Sequence, residues 1–380
     1  MALSYALTSE QEEFRRVVAD FADRVVAPAA EEFNADARFP AEIVRQMGEM
    51  GLFGIPFPEE YGGMGGDYLS LCLAIEELGR VDQSVGITLE AGVGLGAAPI
   101  FEFGTEQQRQ QWLPELARGE RLGGFGLTEP GGGSDVLGGT RTRAVADGDD
   151  WVIDGGKCFI TNVGTELSSL VTVTAWTGEQ EMTAIIVPTD TPGLTVAPPY
   201  RKVGWHASDT RELAFDRVRV GQDNTLGERG AGFRQFLKTL DDGRIAISAL
   251  AVGLIQGCVD ECVRYAGERE AFGAPIGSQQ AVAFKIADLE VAAQMARQYY
   301  RYVCWRKMEG LPYKREASIS KLYSSEQAVT AAREATQVFG GMGFMTETRV
   351  GRFYQDAKIL EIGEGTSEVQ RLLIARDLGL

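Results

Sequence analysis

Histidine, cysteine and positive charge are all scarce in this chain, and each scarcity removes a class of chemistry. One histidine, His206, stands in 380 residues. A Ser-His-Asp triad would have to use it, so general acid–base work falls to carboxylates, Lys or Tyr. Its surroundings, Gly204-Trp205-His206-Ala207-Ser208-Asp209, read as a polar turn between strands. The five cysteines, Cys72, Cys158, Cys258, Cys262 and Cys304, include no CxxC pair. That removes the usual zinc and redox spacings and suits a reducing, cytoplasmic setting with no metal site. Cys258 and Cys262, at i,i+4, read as core thiols. With 54 acidic against 37 basic residues the net charge is −17, which argues against nucleic acid and against an anionic membrane surface. An anionic substrate would need a local cluster of Arg and Lys. No apolar run approaches the ~20 residues that span a bilayer, so no membrane insertion is expected. Met1-Ala2-Leu3-Ser4-Tyr5 carries neither a basic n-region nor an apolar h-region, and no secretory signal is visible.

What remains is ample material for two or three soluble domains. Three regions differ in texture. Residues 1–121 read as helical: Ser9-Glu10-Gln11-Glu12 has the form of a capping box, Phe14, Val17, Val18, Phe21 and Val25 recur at helical spacing, and helical patterns resume over 69–78, 83–103 and after Thr105. Residues 122–231 change period. Trp151–Thr161, Leu170–Trp176, Met182–Val187 and Leu213–Val220 are β-rich runs bounded by Gly, Pro and Asp, the pattern of a compact antiparallel β domain. Residues 232–380 are helical again, with long patterns over 233–267, 278–309 and 314–339 and shorter ones over 350–362 and 367–378. Such helices bury their apolar stripes against one another, so a four-helix bundle is expected. The expected fold class is α+β, mostly α.

Two stretches carry chemistry. Thr128-Glu129-Pro130-Gly131-Gly132-Gly133-Ser134-Asp135 joins three glycines, able to take φ > 0, to polar side chains. It lacks the lysine of a phosphate-binding P-loop and is not followed by a helical pattern. It reads either as a flexible surface loop or as a ligand loop of another kind. Glu364, in Ile362-Gly363-Glu364-Gly365-Thr366-Ser367-Glu368, sits on a glycine hinge before the last helix, which Ser367 can cap with Gln370 three residues on. The helix dipole favours its ionised form. The carboxylate reads either as a base or as an ordinary dipole-pairing acid.

Together with Phe159-Ile160-Thr161-Asn162, Leu240-Asp241-Asp242-Gly243-Arg244, Arg269-Glu270-Ala271-Phe272-Gly273 and Gln337-Val338-Phe339-Gly340-Gly341, these stretches resemble the acyl-CoA dehydrogenase family, of short- or medium-chain type. The resemblance covers essentially the whole chain, and the pieces stand in family order. It implies an FAD flavoprotein that converts a saturated acyl-CoA to a trans-2-enoyl-CoA. Phe125, Leu127, Thr128, Gly133 and Ser134 would line the flavin, with Ser134 also reaching towards substrate. Phe159, where many relatives carry Trp, would pack on the flavin beside Ile160 and Thr161. Arg269, Phe272 and Gln280 would reach the FAD of a neighbouring subunit, and Gln337, Val338, Gly340 and Gly341 its adenosine half. Thr366 and Glu368 would also contact the cofactor. Glu364 matches the catalytic base, with hydride passing to flavin N5. Some relatives place the base on the helix equivalent to 240–253; here that position is Gly243. Asp241, Arg244 and Gly365 would contact the CoA ester, although Asp241 and Arg244 also fit a plain helix-surface ion pair.

The resemblance further implies a homotetramer and an electron-transferring flavoprotein, or a similar acceptor, as partner. An acyl-CoA oxidase on the same fold is the competing enzyme, disfavoured because such oxidases are usually much longer. A flavin-free acyl-CoA-binding scaffold is the alternative from another class. The small residues Gly86, Ala91, Gly92 and Gly94 of the helix over 83–103 would leave room for the acyl chain. Ser84-Val85-Gly86-Ile87 lacks the arginine of glutaryl-CoA relatives.

Overall fold

A computed structural model describes residues 6–380; the signal reading of residues 1–5 lies outside the described residues. The first region is helical: α1 (Ser9–Phe21), α2 (Ala27–Ala35), α3 (Ala41–Glu49), α4 (Tyr68–Val81), α5 (Gln83–Glu90), α6 (Ala98–Phe103) and α7 (Glu106–Ala117). The first capping box is one residue earlier than the sequence suggested. Thr8, not Ser9, is the N-cap, and Gln11 returns the hydrogen bond to the Thr8 backbone. Thr8 fits because its backbone is extended (ψ 162°) and its Oγ1 can accept from the third helical N–H. Asp67 and Asp82 cap α4 and α5 in the same way. Between α5 and α6 the helix continues through π-helical turns at Ala91–Ala97.

The middle region holds β1 (Leu122–Gly126), a one-turn α8 (Val136–Gly139), β2 (Arg143–Asp147), β3 (Asp150–Thr161), β4 (Ser168–Trp176), β5 (Met182–Pro188), β6 (Leu194–Val196) and β7 (Thr210–Gly221). The strand order is β1-β4-β2-β3-β7-β6, with β5 on β4. Most pairs are antiparallel, as expected, but β1 runs parallel to β4 and β2 touches β4 in parallel at Arg143–Trp176. A parallel pair needs a long crossover, and here the crossover contains the glycine loop and the β2–β3 hairpin. The sheet has its own core, centred on Trp151, Ile153, Ile160, Val171, Ile185 and Phe215.

The last region holds α9 (Gly232–Glu268), a small hairpin of β8 (Glu270–Ala271) and β9 (Ala274–Pro275), α10 (Gln280–Met308), α11 (Lys314–Phe339), α12 (Arg349–Leu360) and α13 (Ser367–Asp377). The helices do not cover one another alone. α9 is packed by α10 and α11 and, on another side, by α4 and α5. Any Cβ on Gly253 or Gly257 of α9 would strike α4 backbone oxygens, so these two glycines set the close approach. Two stretches, Gln83–Phe103 and Gly232–Glu268, are long and apolar enough to cross a membrane by length and composition, contrary to the reading of the bare sequence. Their most apolar windows are 78% and 83% buried inside the protein. That apolarity serves a helix covered on several sides.

Candidate active site

α9 organises the site. Near its start Phe236 stacks on Phe125 of β1, ring centroids 4.0 Å apart. This places the glycine loop, which follows β1, at the same end of the helix. The loop is tied to β3: Cys158 N–H donates to the Thr128 carbonyl at 2.9 Å. Beneath it lies a buried ion pair that the sequence reading missed. Lys157, fully buried, donates to Glu129 Oε1 at 2.7 Å and to the Leu127 carbonyl at 3.2 Å. Glu129 also accepts the Arg141 and Thr142 N–H groups. Burial works against both charges. The Lys157 cation and these donors still hold the Glu129 carboxyl below its ordinary range.

None of the three loop glycines uses a positive φ. Gly131 and Gly132 are needed for another reason: a Cβ on either would come within 2.9 Å of backbone atoms of Gly139 or Asp135. Those atoms belong to α8 and its cap, a turn that does follow the loop. Asp135 caps it through the Gly138 N–H. Gly133 and Ser134 remain exposed and Thr128 half-buried. Phe159 is 64% exposed at φ 60°, with Tyr200 beside its ring at 5.3 Å. An exposed aromatic held at positive φ is a strained arrangement of the kind that marks ligand sites. Ile160, by contrast, points into the sheet core, so only its backbone can meet a ligand. Thr161 is half-buried at the end of β3.

Two turns along α9, Gly243 faces Glu364. A Cβ at Gly243 would collide with Glu364 Oε2, so the bare helix surface is what admits the carboxylate. Glu364 has φ 52° and Gly365 φ 93°. The hinge is held by Lys321 of α11, whose Nζ donates to the Gly365 carbonyl at 2.8 Å. Gln370 also donates to that carbonyl, at 2.9 Å. The helix cap is Thr366, which accepts the Val369 N–H, rather than Ser367, whose side chain is buried and whose Oγ finds no partner. Thr366 is thereby beside the base, and Glu368 is exposed in the first turn of α13.

Desolvation, not the helix dipole, governs Glu364: burial pushes its carboxyl up to about 7. The neighbouring Glu90 carboxyl and the positive charges of Lys321 and Arg244 act in the opposite direction. Desolvation also lowers the Lys321 ammonium to about 8. Arg244 pairs with Asp241, three residues away on α9, and both side chains are largely buried. The two residues are thus paired, but as a buried pair and not on the helix surface, with Arg244 still close enough to act on Glu364. The sequence reading passed over Glu90 and Lys321. The signals were available: Glu90 is a charge within the apolar run over 85–97, and Lys321 falls on the buried face of α11 with Ala317, Ser318, Ser324 and Ser325.

The small residues of α5 and its continuation mostly do not open space. A Cβ on Gly86 would meet Leu250 at 2.5 Å, and one on Gly92 would meet Phe53 at 2.8 Å. They are sites of close packing, while Gly94 lies against Glu90 Oε1. His206 contacts the Lys202 carbonyl in the turn before β7.

The remaining predicted residues lie at the other end of α9. Tyr265 stacks on Phe339 at 4.1 Å, joining the end of α9 to the segment Gln337–Gly341. Arg269 follows, exposed and with no carboxylate partner among the described residues. Phe272, at the hairpin tip, is 98% exposed at φ 55°, and Gln280 is exposed at the start of α10. Val338 is buried, whereas Gln337, Gly340 and Gly341 are exposed. At about 1.5 Å per residue, Tyr265 is roughly 44 Å along the helix from Phe236. The two sets of predicted cofactor residues are thus separated within one chain.

Three regions of the chain match the acyl-CoA dehydrogenase family: residues 8–120 its N-terminal domain, 124–218 its middle domain and 230–379 its C-terminal domain. The chain belongs to this family and is an oxidoreductase of the acyl-CoA dehydrogenase type. It is 49% identical to a probable acyl-CoA dehydrogenase of Bacillus subtilis, YngJ, over 99% of this chain and 100% of that one. It is 42% identical to a short-chain specific acyl-CoA dehydrogenase of Clostridium acetobutylicum, over 98% and 99%. Among solved structures it resembles butyryl-CoA dehydrogenase from Megasphaera elsdenii, with TM-score 0.96, 38% identity and 100% coverage of both chains. It also resembles a chain solved in work on the electron transferring flavoprotein of Acidaminococcus fermentans, with TM-score 0.96, 39% identity and 99% coverage of both. A prolyl acyl carrier protein oxidase, AnaB, is similar too, with TM-score 0.94 and 32% identity over 99% of this chain and 100% of that one. Length therefore does not separate dehydrogenase from oxidase.

Proposed function

We propose that this protein removes the α-proton of an acyl-CoA thioester with Glu364 and releases a trans-2-enoyl-CoA. The observation that carries this is a desolvated carboxylate on a strained hinge, seated over a glycine at the flavin-loop end of α9. The α-proton of a thioester is weakly acidic, and a carboxyl raised to about 7 is a stronger base than an ordinary one while still largely ionised at slightly alkaline pH. Lys321 and Gln370 hold the hinge backbone, so the carboxylate does not swing away. Arg244 and Lys321 supply positive charge beside it.

FAD is the expected cofactor, one per chain. The residues fit it: the Phe159 ring is uncovered, Gly133 and Ser134 are open, and Gly340 and Gly341 have free space where a Cβ would stand. When bound, FAD would supply the redox chemistry as the acceptor of the β-hydride, while the residues that follow would hold it. Phe125, Leu127, Thr128, Gly133, Ser134, Phe159, Ile160 and Thr161 would hold it on one side. The unpaired Arg269 with Phe272, Gln280, Gln337, Val338, Gly340 and Gly341 would hold it from another copy. A separation of roughly 44 Å along α9 makes one copy insufficient and calls for at least a second; a homotetramer is the assembly we propose. An electron-transferring flavoprotein is the proposed acceptor and the cytoplasm the proposed location.

The test is a panel of straight, branched and aromatic acyl-CoAs with an artificial acceptor, run with Glu364→Gln alongside. A folded, yellow Gln variant that reduces its flavin at the wild-type rate would end the base assignment. The oxidase reading is favoured instead if O₂ alone sustains turnover as fast as the acceptor does.

A further inference from the structure

Glu90 is fully buried at the last residue of α5, where the helix widens into π-helical turns. Its carboxyl is a neighbour of that of Glu364, and each acts on the other's charge. No donor from any other described residue reaches either Glu90 oxygen or Glu364 Oε2. One turn on is Gly94, which adds no side chain between α5 and the hinge. Two carboxylates in contact in a dry site cannot both be ionised. They can be stable only with a proton between them.

We propose that Glu90 is a positioning residue that shares one proton with Glu364: as the neutral acid it donates a hydrogen bond to the Glu364 carboxylate and keeps it ionised and turned over Gly243. This rests on the reading of Glu364 as the base. The proton count closes. The resting pair holds one proton and one negative charge. When Glu364 takes the substrate α-proton, the pair holds two protons and no charge, and the carboxyl–carboxyl hydrogen bond persists. The assignment of the resting proton to Glu90 agrees with its surroundings. Burial and the Glu364 charge both raise Glu90, while the hydrogen bond from Glu90 lowers Glu364. The other charged or titratable groups around the pair are Lys321 from α11, Arg244 with its partner Asp241 from α9, and Tyr68 from α4. Lys321 and Arg244 favour the ionised form of Glu364. Tyr68 is raised well above its ordinary value by burial and stays neutral. These groups supply charge to Glu364 but no hydrogen bond to Glu90.

Two variants separate donation from bulk. Glu90→Gln keeps a donor in its amide N–H₂ and cannot ionise; Glu90→Leu has no donor. The acid limb of the pH profile of kcat/KM for flavin reduction is expected to move upward by about one pH unit or more in Glu90→Leu, since loss of a charge-assisted hydrogen bond disfavours the ionised base. In Glu90→Gln it is expected to stay near the wild-type position. Independently of turnover, the infrared carbonyl stretch of a buried neutral carboxylic acid is expected in the wild-type protein at a pH well above the acid limb, where Glu364 is ionised and Glu90 keeps the shared proton, and in both variants that contribution is expected to be lost from the same pH range. If neither the limb nor the infrared band responds to Glu90, the shared proton is wrong. If instead Glu364→Gln reduces its flavin at the wild-type rate, the base reading falls and takes this inference with it.

Discussion

The two ends of α9 are built on opposite principles. At the near end, Phe236, Gly243 and Arg244 face inward onto the glycine loop, Glu364 and Lys321; Phe236, Arg244 and Lys321 are buried and the Glu364 hinge is held by Lys321 and Gln370. At the far end, Tyr265 leads to Arg269, Phe272 and Gly340, which are exposed, strained or without a partner. The near end resembles a finished active site and the far end half of an interface. Under the proposed function, a helix of 37 residues would serve two sites at once, its own chemistry at one end and a neighbour's cofactor at the other. Strain at Phe272 and Phe159, both non-glycine residues at positive φ, is stored where a ligand or another copy would repay it.

Breaking the near end should have the larger effects. Glu364→Gln is expected to lower the rate of flavin reduction by roughly 10²–10⁴, with bound acyl-CoA still perturbing the flavin spectrum; stopped-flow bleaching measures it. Gly243→Ala is expected to lose activity by a similar mechanism, since its Cβ would displace the Glu364 carboxylate, while the circular dichroism spectrum stays native.

The buried Glu129–Lys157 pair tests whether the flavin loop is held from below. Lys157→Met leaves Glu129 buried with its backbone donors but no cation. A loss of about 3–5 kcal/mol is expected from chemical denaturation, with FAD content falling in parallel. If stability falls and FAD binding does not, the pair supports the sheet and not the loop.

The pH dependence of stability sharpens the same contrast. Glu364 is raised in the folded state to about 7 from an ordinary value of 4.5. A raised carboxyl contributes stability that is fully present below its ordinary value and is lost as pH rises through the folded value. The wild type should therefore lose stability between about pH 4.5 and 7, and Glu364→Gln should not. The difference should be on the order of 3 kcal/mol at alkaline pH, read as a higher Tm of the Gln variant there.

The far end should give the smallest effect on the single chain and the clearest one on assembly. Phe272→Ala is expected to change the folding free energy by less than about 1 kcal/mol, because the ring is exposed. FAD retention should fall severalfold and light scattering should show a smaller particle. A variant that keeps both full flavin and the parental size would remove Phe272 from the interface.

Much of this was legible in the residues. Periodicity marked the long helices and the β-rich middle, because burial on one face imposes a period of 3.6 or 2. The motifs around Thr128, Glu364 and Arg269 were visible because glycines and charges at these spacings are uncommon. What periodicity could not show was partnership. The glycines of the loop looked like sources of positive φ, but Gly131 and Gly132 serve a close approach to α8. The helix cap moved from Ser367 to Thr366, since either residue has a hydroxyl and only backbone geometry chooses between them. Asp241 and Arg244 could have faced the substrate or each other, and in the folded chain they are paired.

By itself the sequence determined the order of the domains, the family, the carboxylate at 364 and the absence of a side chain at 243. These follow from residue identity and spacing along the chain. Only the tertiary structure decided that Glu364 is raised rather than lowered, that Glu90 neighbours it, that Lys157 and Lys321 are buried, and that the two sets of residues proposed to hold the cofactor lie at opposite ends of α9. Those properties depend on which groups are brought together and how far water is excluded. Desolvation and contact arise between segments distant in sequence, such as α5 with the hinge before α13, and no local pattern encodes them.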